Sequence, residues 1–490
     1  MIITNFKLNK KNDAKVNSEK LISFTKKLLA NNYINKNFNI ISRVIDVPSN
    51  IIENECKHYL QFNFNNKHGK YNARFSLIYS LIDLFKFISF IMWIIFFSKK
   101  NKKFTKKYYD IIIDDLDHDH SINTFIKLKE YFSKVLLITT IKKYKNDSEF
   151  LHFDKYKYLN LNINFKFLYD YFFYLPFKIL VLSIKSKNNL FCINLHILKI
   201  FFKYSSIFES NKAKFLIQER YYRSSCLKNY LFKKYGGHSV SITQRVLPIY
   251  SSFGMFVSCD NFFSLGNQTA EIILKQDSSI KNVIPIGSLT MYQNFFNNKN
   301  LNLKELETYD VLDLESRMAN FNDVYDTFWQ DWYLKFNWLS KLSNKKPNLK
   351  IAIKIRPEHA SMMNNPFIQK NIQNSNIKII DGSEHSFKFN TYHYAFKAKS
   401  LCTWISTIGF EMLGHGKKCY FINPNLRNSS YKDLEILRNF TIESYENFEK
   451  QILEEINNNS KQKLSENIKN NFCLNSNDVY STLSNHIKNF

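Results

Sequence analysis

At 490 residues and 44% hydrophobic content, the chain has apolar material for two or three packed domains, and with only 10 Gly and 8 Pro against a 16% aromatic share it excludes a disordered or linker-rich protein. The net charge of +27 favours an anionic partner, although Lys, Asn, Ile and Phe rise together as AT-rich coding produces, so only part of that charge reports function. Seven cysteines lie far apart with no Cys-x-x-Cys, which suggests neither a zinc cage nor a disulfide framework and fits a reducing cytoplasm; Met1-Ile-Ile-Thr-Asn-Phe-Lys7 lacks the features of a signal peptide.

From about Phe38 the chain alternates short apolar strands with longer helical stretches, which predicts an α/β class with parallel sheets flanked by helices. Strands are expected at 39–47, 110–113, 135–139, 214–217, 239–242, 255–258 and 282–286. The longest apolar run, 87–97, is followed by Lys99, Lys100, Lys102, Lys103, Lys106 and Lys107. It falls short of the roughly 20 residues of a bilayer crossing, and backwards it meets Lys86 and Asp83. Two readings stand: a buried helix packed on a sheet, or a helix in the interface of an anionic membrane, with 87–107 as the contact. A second aromatic segment, 165–184 with Pro176 inside it, carries the same ambiguity.

Asp114-Asp-Leu-Asp-His-Asp-His120 follows the strand at 110–113 and is the densest polar cluster. A divalent cation, a catalytic base at Asp119 or His120 and a solvated loop all compete for it, and the spacing defines no ligand geometry. The strand at 214–217 delivers Gln218-Glu219-Arg220 into a stretch containing Arg223. A carboxylate beside arginines is ionised, so Glu219 is placed either as a general base or as a salt-bridged helix start. Gln244 and Arg245 leave the next strand in the same way, which makes Gln244 a cleft-lining candidate.

The Asn-rich passage 294–307 reads as a linker between domains at 1–293 and 308–458, with helices at 459–490 that can pack back on the first. In the second run, strands at 311–314, 349–355 and 377–380 surround a Trp-rich helix at 323–342. The strand at 349–355 delivers Lys354, Arg356 and His359, with Pro357 ending it; Arg offers a planar fork to phosphate oxygens. Then comes a strand at 401–405, the turn Ser406-Thr407, a helix at 408–413, a Gly414 or Gly416 cap and a strand at 419–422. A strand that hands two hydroxyls to a helix N-terminus makes an anion site, because the first N–H groups lack internal partners and the helix dipole is positive there. Glu411, one turn further in, can accept ribose hydroxyls or cap the helix.

Three stretches resemble glycosyltransferases of GT-B architecture that build bacterial surface polysaccharides such as capsule, O-antigen and teichoic-acid-like polymers. They are Ser406-Thr-Ile-Gly-Phe-Glu-Met-Leu-Gly-His-Gly-Lys-Lys418, the segment 256–270 followed by Val283-Ile-Pro-Ile-Gly-Ser288, and Ile353-Lys-Ile-Arg-Pro-Glu-His359. The resemblance covers 214–424 and implies two Rossmann-like domains with parallel sheets facing a central cleft. It implies donor phosphate binding by Arg356, His359, Ser406, Thr407 and Gly409, ribose binding by Glu411, cleft lining by Gly287 and Ser288, and proton abstraction by Glu219 or else by Asp119 or His120. The implied partners are a nucleotide-sugar donor and a glycan or lipid-linked acceptor, with no cofactor and no metal, in the cytoplasm at the inner face of the membrane.

Rival functions remain. A sugar-nucleotide 2-epimerase would carry Asp-Ser-Gly-Gly where Ser406-Thr-Ile-Gly stands here, while a polyol-phosphate transferase on the same fold stays open. The lysines are dispersed and no nucleic-acid signature is present, which argues against a nucleic-acid binder. A non-catalytic transferase-like scaffold is the last alternative.

Overall fold

The structure, a computed structural model, describes residues 14–65, 77–97, 106–147, 149–152, 163–219, 224–243, 256–274, 279–295, 303–314, 327–355, 369, 375–380, 389–404, 406–424, 435–457, 464–475 and 478–489. Short apolar runs bounded by polar turns form two sheets in which every strand pairing is parallel. The first holds β1 (Lys107–Leu116), β2 (Val135–Thr139), β3 (Phe150–His152), β4 (Asn211–Gln218), β5 (Ser239–Thr243), β6 (Ser258–Ser264) and β7 (Ser279–Pro285), in the order β3-β2-β1-β4-β5-β6-β7. The second holds β8 (Val311–Leu314), β9 (Ile351–Lys354), β10 (Ile377–Ile380), β11 (Ser400–Thr403), β12 (Cys419–Ile422) and β13 (Thr441–Ile442), in the order β10-β9-β8-β11-β12-β13. Each chain path starts mid-sheet, runs to one edge, then crosses back and runs to the other. The direction reverses between β1 and β4 and again between β8 and β11, and such switch points are where α/β sheets leave a crevice at their carboxyl ends.

Alternate side chains along each strand enter opposite cores, as sheets covered on both faces require. One face of the first sheet, with Ile112, Leu216 and Phe262, packs on helices from residues 21–60, 87–94 and 171–208. The other, with Ile111, Ile113 and Ile217, packs on helix Asp119–Ile126 and on helix Val479–Lys488. In the second sheet Leu312, Leu401 and Phe421 face helices Thr391–Lys397, Thr407–Gly414 and Glu466–Phe472, and Val311, Cys402 and Ile422 face helices Thr327–Lys345 and Tyr445–Asn457.

Three expectations are corrected. The strand expected at 255–258 runs instead at Ser258–Ser264, buried from Cys259 onward. The β-branched run at 39–47 lies mostly in helix Asn32–Ile45, because Ile34, Phe38, Ile41 and Ile45 recur at helical spacing and bury one face. Tyr33 N–H donates to Asn31 Oδ1 at 2.9 Å at its start, and Asp46, at φ 52°, ends it. The apolar helix expected at 87–97 begins ten residues earlier and runs Leu77–Phe97 straight through Asp83 and Lys86. Asp83 accepts from Lys86 at 2.9 Å and from Asn189 at 2.8 Å, which satisfies the charge inside the run.

The segment after helix Glu466–Phe472 joins the two sheets. Phe472 packs edge-on against Phe410 and Phe440 beside the second sheet, while Leu474 N–H donates to Leu265 O, just past β6, at 2.8 Å. Three glycines make room for it. A Cβ on Gly266 would sit 2.5 Å from Asn471 O; one on Gly287 would collide with Leu474 O, and one on Gly414 with Cys473 O. Gly287 also has φ +92°, a conformation that disfavours a side chain. Beyond this strap Tyr480 Oη donates to Thr124 O at 2.6 Å and Tyr131 Oη to Asp478 Oδ2 at 2.9 Å, which fixes helix Val479–Lys488 on the first sheet.

Candidate functional site

At the first switch point Asp114 of β1 lies level with Gln218 of β4. The polar cluster that starts there divides into groups with different tasks. Asp114 is buried and accepts from Lys228 Nζ at 3.0 Å and from Tyr204 Oη at 2.9 Å; Lys228 also reaches Asp115 at 3.2 Å, where φ is 68°. Burial pushes the Asp114 carboxyl up, but the charges of Lys228 and Lys203 hold it below its ordinary value, so it stays ionised. Asp119 opens helix Asp119–Ile126 with its carboxylate exposed, and takes Lys143 at 2.6 Å and Tyr144 Oη at 3.2 Å. The Lys143 hydrogen bond keeps its pKa below the usual value. His120 is half-buried beside it, its ring near-parallel to that of His118 with centroids 6.0 Å apart.

Glu219, the residue after β4, is only 3% exposed and accepts from Ser121 Oγ at 2.7 Å. Ser121 is two residues beyond Asp119 on the same helix, so the structure brings all three candidate bases to one strand edge. A buried carboxylate held in place by a hydroxyl suits a base that must take a proton without water intervening.

At the second switch point Thr403 of β11 stands beside Leu314 of β8, to whose carbonyl its hydroxyl donates at 2.6 Å, and Leu314 pairs with Lys354 of β9. Ser406 follows as the extended N-cap of helix Thr407–Gly414, with φ −142° and ψ 137°. Its side chain makes no capping bond, while Gly409 N–H donates to Ser406 O at 3.2 Å. Gly409 allows the helix to lie close to the sheet: a Cβ there would come within 3.1 Å of Cys419 Sγ and of a Phe421 ring carbon. Lys354 is buried and directs Nζ at Ile355 O and Ile380 O, both at 3.4 Å. Arg356, His359 and Gln244 lie outside the described residues.

Glu411 is engaged elsewhere. Ser288, which N-caps helix Leu289–Asn294 just past β7, donates its hydroxyl to one carboxylate oxygen, and Tyr392 Oη donates to the other at 2.9 Å. Burial raises its pKa, and the two hydroxyl donors offset that in part. Ser288, next in the chain to Gly287, and Glu411 therefore meet, at a contact between the two sheets' layers. Sequence reasoning names these three and misses Tyr392, whose part shows only in three dimensions. Lys417, of the Gly-Lys element, donates to Phe396 O at 2.7 Å and to Ala398 O, and burial lowers its pKa to about 8. Also unforeseen is the buried pair of Asp313 on β8 and Lys335, 2.5 Å apart.

Among the described residues one grouping has metal-ligand character, Glu55, His58 and His196, with ligand atoms within 4.8 Å of one another. Glu55 already accepts from His196 Nε2 at 2.9 Å, Ser225 Oγ at 2.6 Å and Leu227 N–H at 3.1 Å, which ties three helices together. A cavity of about 490 Å³ lies at the opposite, amino edge of the first sheet, lined by Lys106, Lys134, Lys212 and Lys214 among others. It is far from the carboxyl edges where ligands of such sheets bind.

No family model matches the chain, and no curated protein sequence matches it. Solved structures give distant likenesses. UDP-GlcNAc 2-epimerase from Neisseria meningitidis, bound to UDP-GlcNAc, is 10% identical over 78% of this chain and 100% of its own, with a TM-score of 0.44. The wall teichoic acid polymerase TagF is 10% identical over 85% and 98%, with a TM-score of 0.40. The lipopolysaccharide outer core galactosyltransferase WaaB is 11% identical over 78% and 99%, with a TM-score of 0.39.

Proposed function

We propose that the chain is a metal-independent glycosyltransferase that moves a sugar from a nucleotide-activated donor to a hydroxyl of a surface-polysaccharide or lipid-linked acceptor. One observation carries this reading: the six strands of the second sheet repeat the order of six of the seven in the first, and each sheet sets its polar groups at the switch point, a buried carboxylate at β1/β4 and a helix N-terminus at β8/β11. In this scheme residues up to 293 bind the acceptor, and 308–458 bind the donor nucleotide.

The donor's phosphates lie on the first turn of helix Thr407–Gly414, against Ser406 and Thr407, with Arg356 and His359 as further donors. The acceptor oxygen attacks the anomeric carbon while its proton passes to the Glu219 carboxylate. The bond from that carbon to the phosphate oxygen breaks, and its electron pair leaves with the phosphate. The helix dipole and the N–H groups at its start stabilise that charge as it grows.

A thermal-shift panel with UDP, CDP, GDP and CMP tests the donor half. At least one nucleotide is expected to raise Tm, and the double variant Ser406→Ala/Thr407→Ala is expected to lose that shift. Since Ser406 makes no side-chain cap bond, the variant removes no helix cap. Equal nucleotide affinity in the double variant would refute the placement.

A further inference from the structure

Helix Leu77–Phe97 and the apolar helical stretch Phe165–Ser186 expose one face each, and those faces are hydrophobic. On the first, Ile78, Ile82, Phe85, Met92 and Phe96 follow one another at steps of four, three, seven and four, a single stripe in which Phe85 and Phe96 are both 73% exposed. The opposite stripe, with Phe87, Ile91 and Ile94, is fully buried. On the second, Phe165, Tyr169, Phe173 and Phe177 step by four residues, with Phe173 68% exposed, while Tyr171, Leu175 and Ile179 are buried.

The two stripes belong to one surface. Phe90 from the first helix and Phe167 and Tyr171 from the second all pack against Phe202, with ring centroids at 6.3, 6.5 and 5.6 Å, so both helices lie side by side on the buried helix Phe191–Ser210. Isolated exposed apolar residues need no explanation, whereas apolar stripes exposed on two adjoining helices mark a contact surface.

Both helices are long and apolar enough to cross a bilayer. Each nevertheless spends one side on the protein core, and Lys86 stands mid-helix. Lys166 and Lys185 are exposed on the second stretch and Lys187 directly after it, while Lys86 is paired with Asp83, and the sequence after Phe97 adds Lys99, Lys100, Lys102 and Lys103. A second copy of the same face would set lysine against lysine. Hydrocarbon beneath a layer of negative headgroups matches both the apolar stripe and its basic rim.

We infer that these two helices form a platform that lies flat in the surface of an anionic bilayer, with Phe85, Phe96, Phe173 and Phe177 in the acyl boundary and the lysines among the headgroups. This surface stands independently of the transferase reading.

Flotation of the full chain with vesicles tests it. The protein is expected to float with equimolar phosphatidylcholine and phosphatidylglycerol, and to do so less with phosphatidylcholine alone. Phe85→Glu/Phe173→Glu should lower partitioning at least tenfold while leaving the circular-dichroism melt in place. Lys166→Glu/Lys185→Glu should lower it and weaken its salt dependence. If the first pair does not fold, Phe96→Ser/Phe177→Ser repeats the test more gently. The inference is overturned if the wild type sediments free of both vesicles, if the folded Phe variants float as well as the wild type, or if light scattering shows a dimer that those variants dissociate without any flotation. Resistance to alkaline carbonate extraction from membranes would replace it with a spanning arrangement.

Discussion

The hydroxyl of Ser288, one turn past the last strand of the first sheet, donates to the buried carboxylate of Glu411 on the helix that follows β11 of the second. The strands' two layers thus meet through a titratable group. Its folded pKa is raised, so the folded state binds the proton more tightly than the unfolded chain does. The associated stability is present below the unfolded value of 4.5 and is lost as pH rises through the folded pKa. Glu411→Gln keeps groups able to bond both hydroxyls and removes the titration. Its Tm should fall less than that of the wild type between pH 4.5 and neutrality; identical pH profiles would show that the carboxyl does not control the contact.

Glu55 has the opposite sign. Burial alone would raise its pKa, but the His196 hydrogen bond, the charges of His58 and His196 and the Ser225 hydroxyl bring it down to about 2. Its stability is therefore present above the unfolded value of 4.5 and is lost as pH falls towards 2. Glu55→Gln should be less stable than the wild type at neutral pH and show a shallower acid limb in urea titrations. A parallel shift at all pH values would remove the electrostatic account.

Lys228 is buried between Asp114 and Asp115. Lys228→Met removes the cation bonded to the buried Asp114 carboxylate, and should cost about 3–5 kcal/mol in chemical denaturation. A loss below 1 kcal/mol, within the range of surface pairs, would mean the site relaxes and admits solvent.

Glu219→Gln keeps the shape and the contact with Ser121 but cannot accept a proton. Nucleotide binding should persist, and turnover with a competent acceptor should fall about 100-fold or more. Unchanged turnover would transfer the role to Asp119 or His120, which Asp119→Asn and His120→Ala would separate.

Strands such as 135–139, 311–314, 377–380 and 419–422 are legible to the residue because each is a short apolar run between polar turns. The segment 39–47 is not, since Ile40, Ile41, Val44 and Ile45 imitate a strand while the spacing from Ile34 to Ile45 decides for a helix. Glu219 is legible as a strand-end carboxylate, because the feature is local. The engagement of Glu411 is not, since its partner Ser288 is 123 residues away and nothing in either neighbourhood announces the other. The same holds for Gly287 and Gly414. Their helix-capping and turn signals are visible, but the backbone that presses against them comes from 473–474.

That pressing segment orders assembly in time. Gly266, Gly287 and Gly414 are all synthesised before the residues that lie against them, so the seats exist before their occupant emerges. One face of each sheet waits for a helix made after all the strands, Glu466–Phe472 on the second and Val479–Lys488 on the first, and the link through 470–474 closes only with them. A nascent chain halted before that point would hold two layers with three open notches, and its apolar surface around Phe410 and Phe440 would lack Phe472.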